Sequence, residues 1–305
     1  MHTPLIYNYQ VNKRIQRARG AVSLRGNGEI HYDSEPDLDN ANVGRVLNYM
    51  CNTQARVLHI FYCTKYHSIT LGAKTMKKTV KQRLSKSSLH EKLRLYGILG
   101  GETLQGITYR DAAMQAIDGG MTCMQVREKH LDKEQILDVI SEIKPICDEA
   151  GVPLIINDDL EICIASDADG VHLGLSDGSI AEARKLLGDE KIIGATAHNL
   201  KEALAAEAEG ADYVGVGAAF GSNSKGNAIK LPSLEVYDQI TSSVKIPVIA
   251  IGGINVNNIG ELAGRHLAGV AVISALFGTQ DVKKSAEDLR NMADKLQHEK
   301  LRSEI

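Results

Sequence analysis

Two basic side chains and an amide alternate along one short segment, Gln125-Val-Arg127-Glu-Lys129. Alternate residues of a β-strand face the same side, so a strand here would direct Gln125, Arg127 and Lys129 into one space. A planar guanidinium and an ammonium group can together hold a diphosphate. A solvated strand end explains this spacing about equally well, so the segment by itself indicates an anion site without establishing one.

Acidic residues follow two other apolar segments. Asn157 and Asp158 end one of them, and Asp177 comes shortly after Gly170-Val-His-Leu. Carboxylates at the ends of neighbouring strands can share Mg²⁺, which prefers one or two carboxylates together with phosphate oxygens and water. Each aspartate could instead cap a helix, Asp158 or Asp159 the next one and Asp177 the one after it. Beside a cationic strand, the set favours a magnesium site.

A long loop and two short ones are rich in small residues. The long loop, residues 215–226, contains Ser222, Ser224 and Lys225. Hydroxyl donors together with a cation are suited to a mobile loop that closes over a phosphate. Such loops are often no more than connections, so this loop is weak evidence alone.

The two short loops are Ile251-Gly-Gly253-Ile and Val272-Ile273-Ser274-Ala. Backbone N–H groups after the last two strands of a parallel barrel commonly form a phosphate site, and glycine allows a ligand to approach closely. Packing requires nothing polar at these glycines, so we favour a phosphate site here.

Strands and helices alternate from Leu95 onward, and this alternation would position all of these groups. Strands that are apolar on both faces and separated by helices indicate a parallel sheet, and eight such units predict a closed (β/α)8 TIM barrel. The predicted strands are Leu95–Leu99, Cys123–Glu128, Pro153–Asn157, Gly170–Leu173, Lys191–Thr196, Tyr213–Ala218, Pro247–Ile251 and Gly269–Ser274. The predicted helices are Tyr109–Asp118, Asp132–Ala150, Leu160–Ala165, Ser179–Leu187, Leu200–Glu209, Ser233–Ser242, Val256–Leu262 and Gln280–His298.

Charge divides the chain into two parts. Residues 1–93 hold 15 Lys and Arg against 6 Asp and Glu, whereas residues 94–305 hold 20 against 32. We therefore predict a basic, poorly ordered N-terminal extension (1–93), a barrel domain (94–298) and a short tail (299–305). The extension could be an overlong start with Met76 as the initiator, which we favour, an organelle-targeting peptide, or the remnant of a fused domain.

Several functional classes find no support in the sequence. No apolar stretch is long enough to span a membrane, and the five cysteines show no paired spacing, which indicates reduced thiols in the cytoplasm. No nucleophile elbow or dinucleotide fingerprint is present. His172 and His198 lie near strand ends without a partner at ligand spacing, so we expect hydrogen-bonded histidines and not metal ligands.

With these motifs in view, the segment from Leu95 to Leu296 resembles the thiamine phosphate synthase family. The motifs that carry the resemblance occur in the family's order and at closely similar spacing. They are Gln125-x-Arg-x-Lys, Ile156-Asn-Asp, Val171-His-Leu-Gly, Asp212-Tyr-Val-Gly-x-Gly, Ile251-Gly-Gly-Ile and Val272-Ile-Ser-Ala. Leu175-Ser176 stands where the family has Gln-Glu, and Ala218 where it has proline.

The resemblance implies an enzyme that joins a hydroxymethylpyrimidine diphosphate to a hydroxyethylthiazole phosphate, with Mg²⁺ as cofactor. It implies that diphosphate leaves first and that the thiazole nitrogen captures the resulting cation. The implied roles are diphosphate binding for Arg127, Lys129 and Lys225; Mg²⁺ binding for Asp158 and Asp177; pyrimidine binding for Gln125, Asn157 and Thr196; and thiazole phosphate binding for Ser222, Ser224, Gly253, Ile273 and Ser274.

Two other functions stay open at this stage. A thiazole tautomerase shares the fold but needs no diphosphate grip, so the retained Arg127, Lys129, Asp158 and Asp177 argue against it. A non-catalytic phosphate-binding barrel would bind ligand without turnover, and its basic N-terminal segment would bind nucleic acid or another protein. We expect small-molecule partners and neither membrane nor nucleic acid, and the sequence leaves a homo-oligomer open.

Overall fold

The structure is a computed structural model, which describes residues 22–24, 30–32, 86–221 and 230–303. The chain divides into two compact units, residues 1–77 and 78–305. The described part of the first unit is an antiparallel pair of short strands, β1 (Val22–Leu24) and β2 (Ile30–Tyr32). The predictions made for the remainder of residues 1–85, including the alternative start at Met76, lie outside the described residues.

The second unit contains a closed barrel of eight parallel strands with helices between them, which confirms the predicted TIM barrel. The strands are β3 (Leu95–Leu99), β4 (Cys123–Val126), β5 (Leu154–Asn157), β6 (Gly170–Leu173), β7 (Ile192–Ala197), β8 (Tyr213–Val216), β9 (Val248–Ile251) and β10 (Gly269–Val272). The α-helices of the described residues are α1 (Lys86–Lys92), α2 (Tyr109–Asp118), α3 (Lys133–Ala150), α4 (Leu160–Ala165), α5 (Ile180–Leu187), α6 (Leu200–Glu209), α7 (Glu235–Thr241), α8 (Ser274–Phe277) and α9 (Val282–Ser303).

Strand β4 is shorter than predicted, and this changes how the basic residues are placed. It ends at Val126, so Arg127 and Lys129 lie in the loop beyond it and do not share a strand face with Gln125. The Arg127 N–H still donates to the Leu99 carbonyl oxygen (2.9 Å). The carboxylate of the next residue, Glu128, accepts the Gly101 N–H in the loop after β3. The prediction of one alternating strand through residue 129 was therefore wrong.

Two elements near the end of the barrel also differ from prediction. The predicted last strand stops at Val272, because Ser274–Phe277 forms helix α8. The predicted helix Val256–Leu262 is only a 3₁₀ turn, Ile259–Leu262. Asparagine side chains bind the local backbone before it, with Asn258 Oδ1 accepting the Asn255 N–H (2.9 Å), and such bonds compete with helix formation.

Two apolar layers hold the barrel together. The larger layer lies between the strands and the surrounding helices, where alternate strand residues such as Leu95 and Leu154 are buried. The smaller layer fills the barrel interior and includes Cys123 and Ile155. Leu89 of α1 belongs to this interior layer, so α1 packs against the amino ends of the strands and contributes to the core.

Polar side chains begin several helices and glycines end them. Asp132 begins α3 with a capping box, accepting the Gln135 N–H (2.9 Å) while the Gln135 amide oxygen accepts the Asp132 N–H (3.0 Å). Gly151 ends the same helix in the left-handed conformation. Of the helices in the described residues, none is long and apolar enough to cross a lipid bilayer.

Candidate active site

The carboxyl ends of the barrel strands surround a cavity of about 390 Å³. Most of the predicted site residues meet there, although they come from five different strand ends. Those that line the cavity are Gln125, Arg127, Asn157, Asp158, Thr196, Gly253, Ile273 and Ser274. Lys129 and Asp177 lie outside its lining, and Ser222, Ser224 and Lys225 lie outside the described residues.

Two of the three predicted diphosphate cations, Arg127 and Lys129, are close together in space. Arg127 Nη1 lies 3.7 Å from Glu102 Oε1, and Lys129 Nζ lies 3.1 Å from the same oxygen. The Arg127 side chain is mostly buried, whereas Lys129 is about one third exposed. Sharing one carboxylate brings both cations to one place, despite the loss of the predicted strand geometry.

Glu128 lies between these cations in sequence and faces a different partner. Its Oε1 accepts the Gly101 N–H (2.6 Å) and the Tyr109 hydroxyl (2.7 Å). Burial, together with this bond to Glu128, raises the pKa of Tyr109. Glu128 thus ties the loop after β3, which contains Glu102, to the loop that carries the cations.

The structure resolves which aspartates cap helices. Asp159 caps α4 by accepting the Ile162 N–H (3.0 Å), and Ser179 caps α5 by accepting the Glu182 N–H (3.3 Å). Neither Asp158 nor Asp177 is a helix cap, so the capping alternative fails for both predicted metal ligands.

Asp158 and Asp177 instead line one second cavity of about 330 Å³, and Asp158 lines the main cavity as well. Asp158 has a positive φ of 63°, an uncommon conformation for a residue other than glycine. The Asn157 amide donates to the Asp158 carboxylate, and Asp177 Oδ2 accepts the Gly174 N–H (3.0 Å). These bonds hold both carboxylates at the second cavity, and Asp158 also lines the cavity that Arg127 lines.

Two aspartates are compatible with the donor set that Mg²⁺ takes. Within the described ranges, no group of three or more His, Cys, Asp or Glu could hold a metal ion as a complete cage. Magnesium does not require such a cage, because it commonly takes one or two carboxylates and completes its shell with phosphate oxygens and water. Asp158 and Asp177 therefore fit a magnesium ion that is bound together with a phosphorylated ligand.

A chain of hydrogen bonds crosses the barrel at the floor of the main cavity, and four of its five residues line that cavity. Gln125 Nε2 donates to the Tyr96 hydroxyl (2.9 Å), which lies 2.8 Å from the Tyr213 hydroxyl. The Tyr213 hydroxyl lies 3.0 Å from His172 Nδ1, and His172 Nε2 lies 3.0 Å from Thr196 Oγ1. The chain thus connects two predicted pyrimidine-binding residues, Gln125 and Thr196, through three side chains that the sequence did not place in the site.

Burial keeps both phenols of this chain neutral. It raises the pKa of Tyr96 and of Tyr213 well above the usual tyrosine value. Glycine at position 194 makes room for the Tyr213 ring, since a Cβ there would overlap that ring. Either phenol can donate to the other, so the orientation of one hydroxyl is coupled to the orientation of the rest.

The predicted phosphate corner is formed by the loops after β9 and β10. Gly253, Ile273 and Ser274 line the main cavity there. Gly253 has a positive φ of 68°, and a Cβ on it would collide with the Gly221 carbonyl oxygen. Its own carbonyl oxygen accepts the Asn258 amide (2.9 Å). Backbone conformation and close packing therefore explain glycine at this position, in addition to access for a ligand.

Sequence reasoning missed Glu102, Tyr96 and Tyr213. A tyrosine inside an otherwise apolar strand is a signal that could have pointed to Tyr96 and Tyr213, because a buried hydroxyl needs a partner. No sequence signal indicated Glu102, which lies in a connecting loop. The expectation of hydrogen-bonded histidines is confirmed for His172, and also for His198, whose Nδ1 lies 2.9 Å from Glu202 Oε2.

Sequence comparison identifies close relatives of the barrel segment. The model of the thiamine monophosphate synthase family matches residues 95–276. The thiamine-phosphate synthase of Clostridium tetani is 41% identical over 195 residues, which is 64% of this chain and 93% of the relative. The thiamine-phosphate synthase of Chloroflexus aurantiacus is 40% identical over 208 residues, which is 68% of this chain and 96% of the relative.

Solved structures agree with this assignment. The thiamine phosphate pyrophosphorylase of Pyrococcus furiosus superimposes with a TM-score of 0.62 at 36% identity, covering 68% of this chain and 98% of that one. A geranylgeranylglyceryl phosphate synthase from Thermoplasma acidophilum, with a TM-score of 0.53 at 19% identity over 67% of this chain and 94% of that one, shares the fold alone. The family match over more than half of the chain places this protein in the thiamine monophosphate synthase family.

Proposed function

We propose that this protein is a thiamine-phosphate synthase that condenses 4-amino-5-hydroxymethyl-2-methylpyrimidine diphosphate with hydroxyethylthiazole phosphate. The products are thiamine phosphate and diphosphate. Family membership supports this activity. The structural observation that supports it most directly is that Arg127 and Asp158 line the same cavity. A cation for diphosphate and a carboxylate for its metal thus reach one space, as this reaction requires.

In this proposal, the bond between the pyrimidine methylene carbon and the diphosphate oxygen breaks first, and its electron pair leaves with diphosphate. The thiazole nitrogen then donates its lone pair to the methylene cation, forming the new C–N bond. Negative charge grows on the leaving group as the bond breaks, so fixed cations lower the barrier. We assign this role to Arg127, Lys129 and Lys225, the last of which lies outside the described residues.

We assign Asp158 and Asp177 to a magnesium ion. When bound, this ion would neutralise charge on the departing diphosphate. The two carboxylates line one cavity, and Asn157 and the Gly174 N–H hold them in orientation. The residue beside them, Leu175, is exposed where the family has an amide, so the outer part of the metal environment differs in this chain.

The substrates occupy two sides of the main cavity in this proposal. The pyrimidine lies against Gln125, Asn157 and Thr196, of which Gln125 and Thr196 are fixed by the hydrogen-bond chain across the barrel. The thiazole phosphate lies against Gly253, Ile273 and Ser274 on the opposite loops. Ser222 and Ser224 complete this phosphate site by analogy with the family and lie outside the described residues.

The test is an assay of the purified full chain with both phosphorylated substrates and Mg²⁺. We expect thiamine phosphate and diphosphate to form in equal amounts, and activity to disappear with excess chelator. Arg127→Ala should lower kcat/KM by about 10²-fold or more, the usual cost of losing one group that stabilises developing charge. Lys201→Ala, an exposed change on the outer helix α6, is the matched control and should retain full activity.

Two results would contradict the proposal. Ligand binding without turnover would indicate the non-catalytic barrel, and conversion of a thiazole without diphosphate release would indicate the tautomerase.

We further propose that the enzyme acts in the cytoplasm, because its cysteines lack the paired spacing of secreted proteins. Its oligomeric state can be measured on the same preparation by light scattering.

A further inference from the structure

Glu102 faces the two described cations that are proposed to hold the leaving diphosphate. One of its oxygens lies 3.7 Å from Arg127 Nη1 and 3.1 Å from Lys129 Nζ, and the other accepts from Lys129 Nζ at 3.4 Å. Arg127 and Lys129, two of the three cations assigned to diphosphate, therefore have the same protein carboxylate as a counter-ion. An arriving diphosphate has to share these cations with Glu102 or displace it.

The surrounding loop holds Glu102 near the cations. Glu102 lies in a 3₁₀ turn, Gly101–Thr103, whose first N–H is bound by Glu128, the residue between the two cations. The Thr103 hydroxyl donates to the Gly100 carbonyl (2.8 Å) and closes the turn. The backbone is thus fixed, whereas the Glu102 side chain is about one third exposed and can rotate toward solvent.

The relative strengths of the two interactions favour replacement of Glu102 by diphosphate at the cations. Ion pairs of partly exposed side chains are weak, because water screens them and because ordering two long side chains costs entropy. A diphosphate with its several charges interacts more strongly with the same cations, and its oxygens match the planar guanidinium. Glu102 is therefore strong enough to neutralise the empty site and too weak to exclude the substrate.

We propose that Glu102 is an exchangeable counter-ion of the diphosphate site, paired with Arg127 and Lys129 when the site is empty and displaced when diphosphate binds. After bond breaking, the same carboxylate competes with the released diphosphate and helps it to leave. This inference rests on the proposed function, because it requires that Arg127 and Lys129 bind diphosphate.

The experiment compares the full-length wild type with Glu102→Gln, which keeps the side-chain shape and removes the charge. Calorimetric titration with inorganic pyrophosphate and Mg²⁺ should show binding that is about threefold to tenfold tighter in the variant, from the loss of two weak competing ion pairs. Inhibition of the reaction by pyrophosphate should strengthen by the same factor. Glu134→Gln, an exposed change on α3, controls for the general effect of removing a negative charge.

Salt dependence provides a second readout. Loss of the Glu102 carboxylate leaves more positive charge at the empty site, so pyrophosphate binding should weaken more steeply with chloride concentration in Glu102→Gln than in the wild type. Unchanged or weaker pyrophosphate binding in Glu102→Gln would overturn the inference, since it would mean that Glu102 does not compete with the ligand. Equal tightening in Glu134→Gln would overturn it as well.

Arg127→Ala separates this inference from the proposed function. If Arg127→Ala leaves pyrophosphate binding intact, the assigned diphosphate site is wrong and the inference about Glu102 fails with it, whereas the proposed activity is tested separately by product formation. If Arg127→Ala abolishes binding and Glu102→Gln does not tighten it, only the counter-ion role of Glu102 fails.

Discussion

Replacing Tyr213 by phenylalanine tests the hydrogen-bond chain at the floor of the cavity. The change removes one hydroxyl and leaves the ring that packs beside Gly194. That hydroxyl connects two partners, the Tyr96 hydroxyl at 2.8 Å and His172 Nδ1 at 3.0 Å. Its loss divides the chain in the middle, so that Gln125 is no longer coupled to Thr196.

The expected cost in stability follows from counting partners. A buried hydrogen bond contributes about 1 kcal/mol net, and a buried group left without a partner costs about 1–3 kcal/mol. Tyr96 keeps its bond from Gln125, so the main loss falls on His172 Nδ1. We expect Tyr213→Phe to lower the free energy of unfolding by about 2–4 kcal/mol.

Tyr237→Phe is the matched control. Its hydroxyl is equally buried but donates to a single acceptor, the Val216 carbonyl (2.9 Å), outside the hydrogen-bond chain. We expect a loss of about 1–2 kcal/mol for this variant.

Urea unfolding and steady-state kinetics measure the two effects separately. Tyr213→Phe should lower kcat/KM by about tenfold, because Gln125 and Thr196 lose their common orientation, which is a positioning effect. Tyr237→Phe should leave kcat/KM unchanged. The reasoning fails if Tyr213→Phe is no less stable than Tyr237→Phe, or if it retains the kinetics of the wild type.

Three further predictions concern other parts of the chain. Asp158→Ala and Lys129→Ala should each lower the rate of thiamine phosphate formation by about 10²-fold or more, with an unchanged circular dichroism spectrum. Normal turnover in either variant would show that the substituted residue is not part of the site. Deleting residues 1–75 should leave an active barrel. By contrast, Leu89→Ala in the full chain should lower the free energy of unfolding by about 2–4 kcal/mol, because it opens a cavity in the interior layer. Urea unfolding measures this loss. Burial raises the pKa of Cys163 to about 12 and also raises that of Cys123, so both should resist thiol reagents at pH 8 until the protein unfolds.

The same raised thiol pKa values predict how stability changes at alkaline pH. The unfolded thiols ionise near pH 8.5, whereas the native thiols keep their protons, so the native state binds more protons above that pH. Stability should therefore be unaffected by these groups below pH 8 and should fall by about 1.4 kcal/mol per pH unit for each thiol as the pH rises toward 12. The Cys163→Ala variant should show a shallower decline in denaturation experiments between pH 9 and 11.

The sequence predicted the barrel well because each strand carries its own signal. Segments such as Leu95–Leu99 and Cys123–Val126 are buried on both faces, and glycines or capping residues separate the strands from helices. These signals are local, so they can be recognised without knowledge of the fold. Apart from the predicted helix Val256–Leu262, the errors described above occurred at strand ends, as with Arg127. At such ends, contacts from another loop decide whether the chain leaves the sheet.

The choice between Asp158 and Asp159 shows what local sequence could not decide. The two residues are adjacent and have the same side chain. Either could have capped the next helix, and Asp158 was also the predicted metal ligand. The structure assigns the cap to Asp159, whereas the positive φ of Asp158 turns its carboxylate toward the cavities. The different backbone conformations of Asp158 and Asp159 depend on how the end of β5 packs against the rest of the barrel, which the local sequence does not reveal.

The sequence by itself therefore determined the barrel, the family resemblance and which residue types carry charge at the strand ends. Tertiary structure alone decided that Glu102 faces Arg127 and Lys129, and that Tyr96 bonds to Tyr213, 117 positions away. The physical reason is that helix and strand periodicity are properties of neighbouring residues. Ion pairs and buried hydrogen bonds depend on which distant segments barrel closure brings into contact.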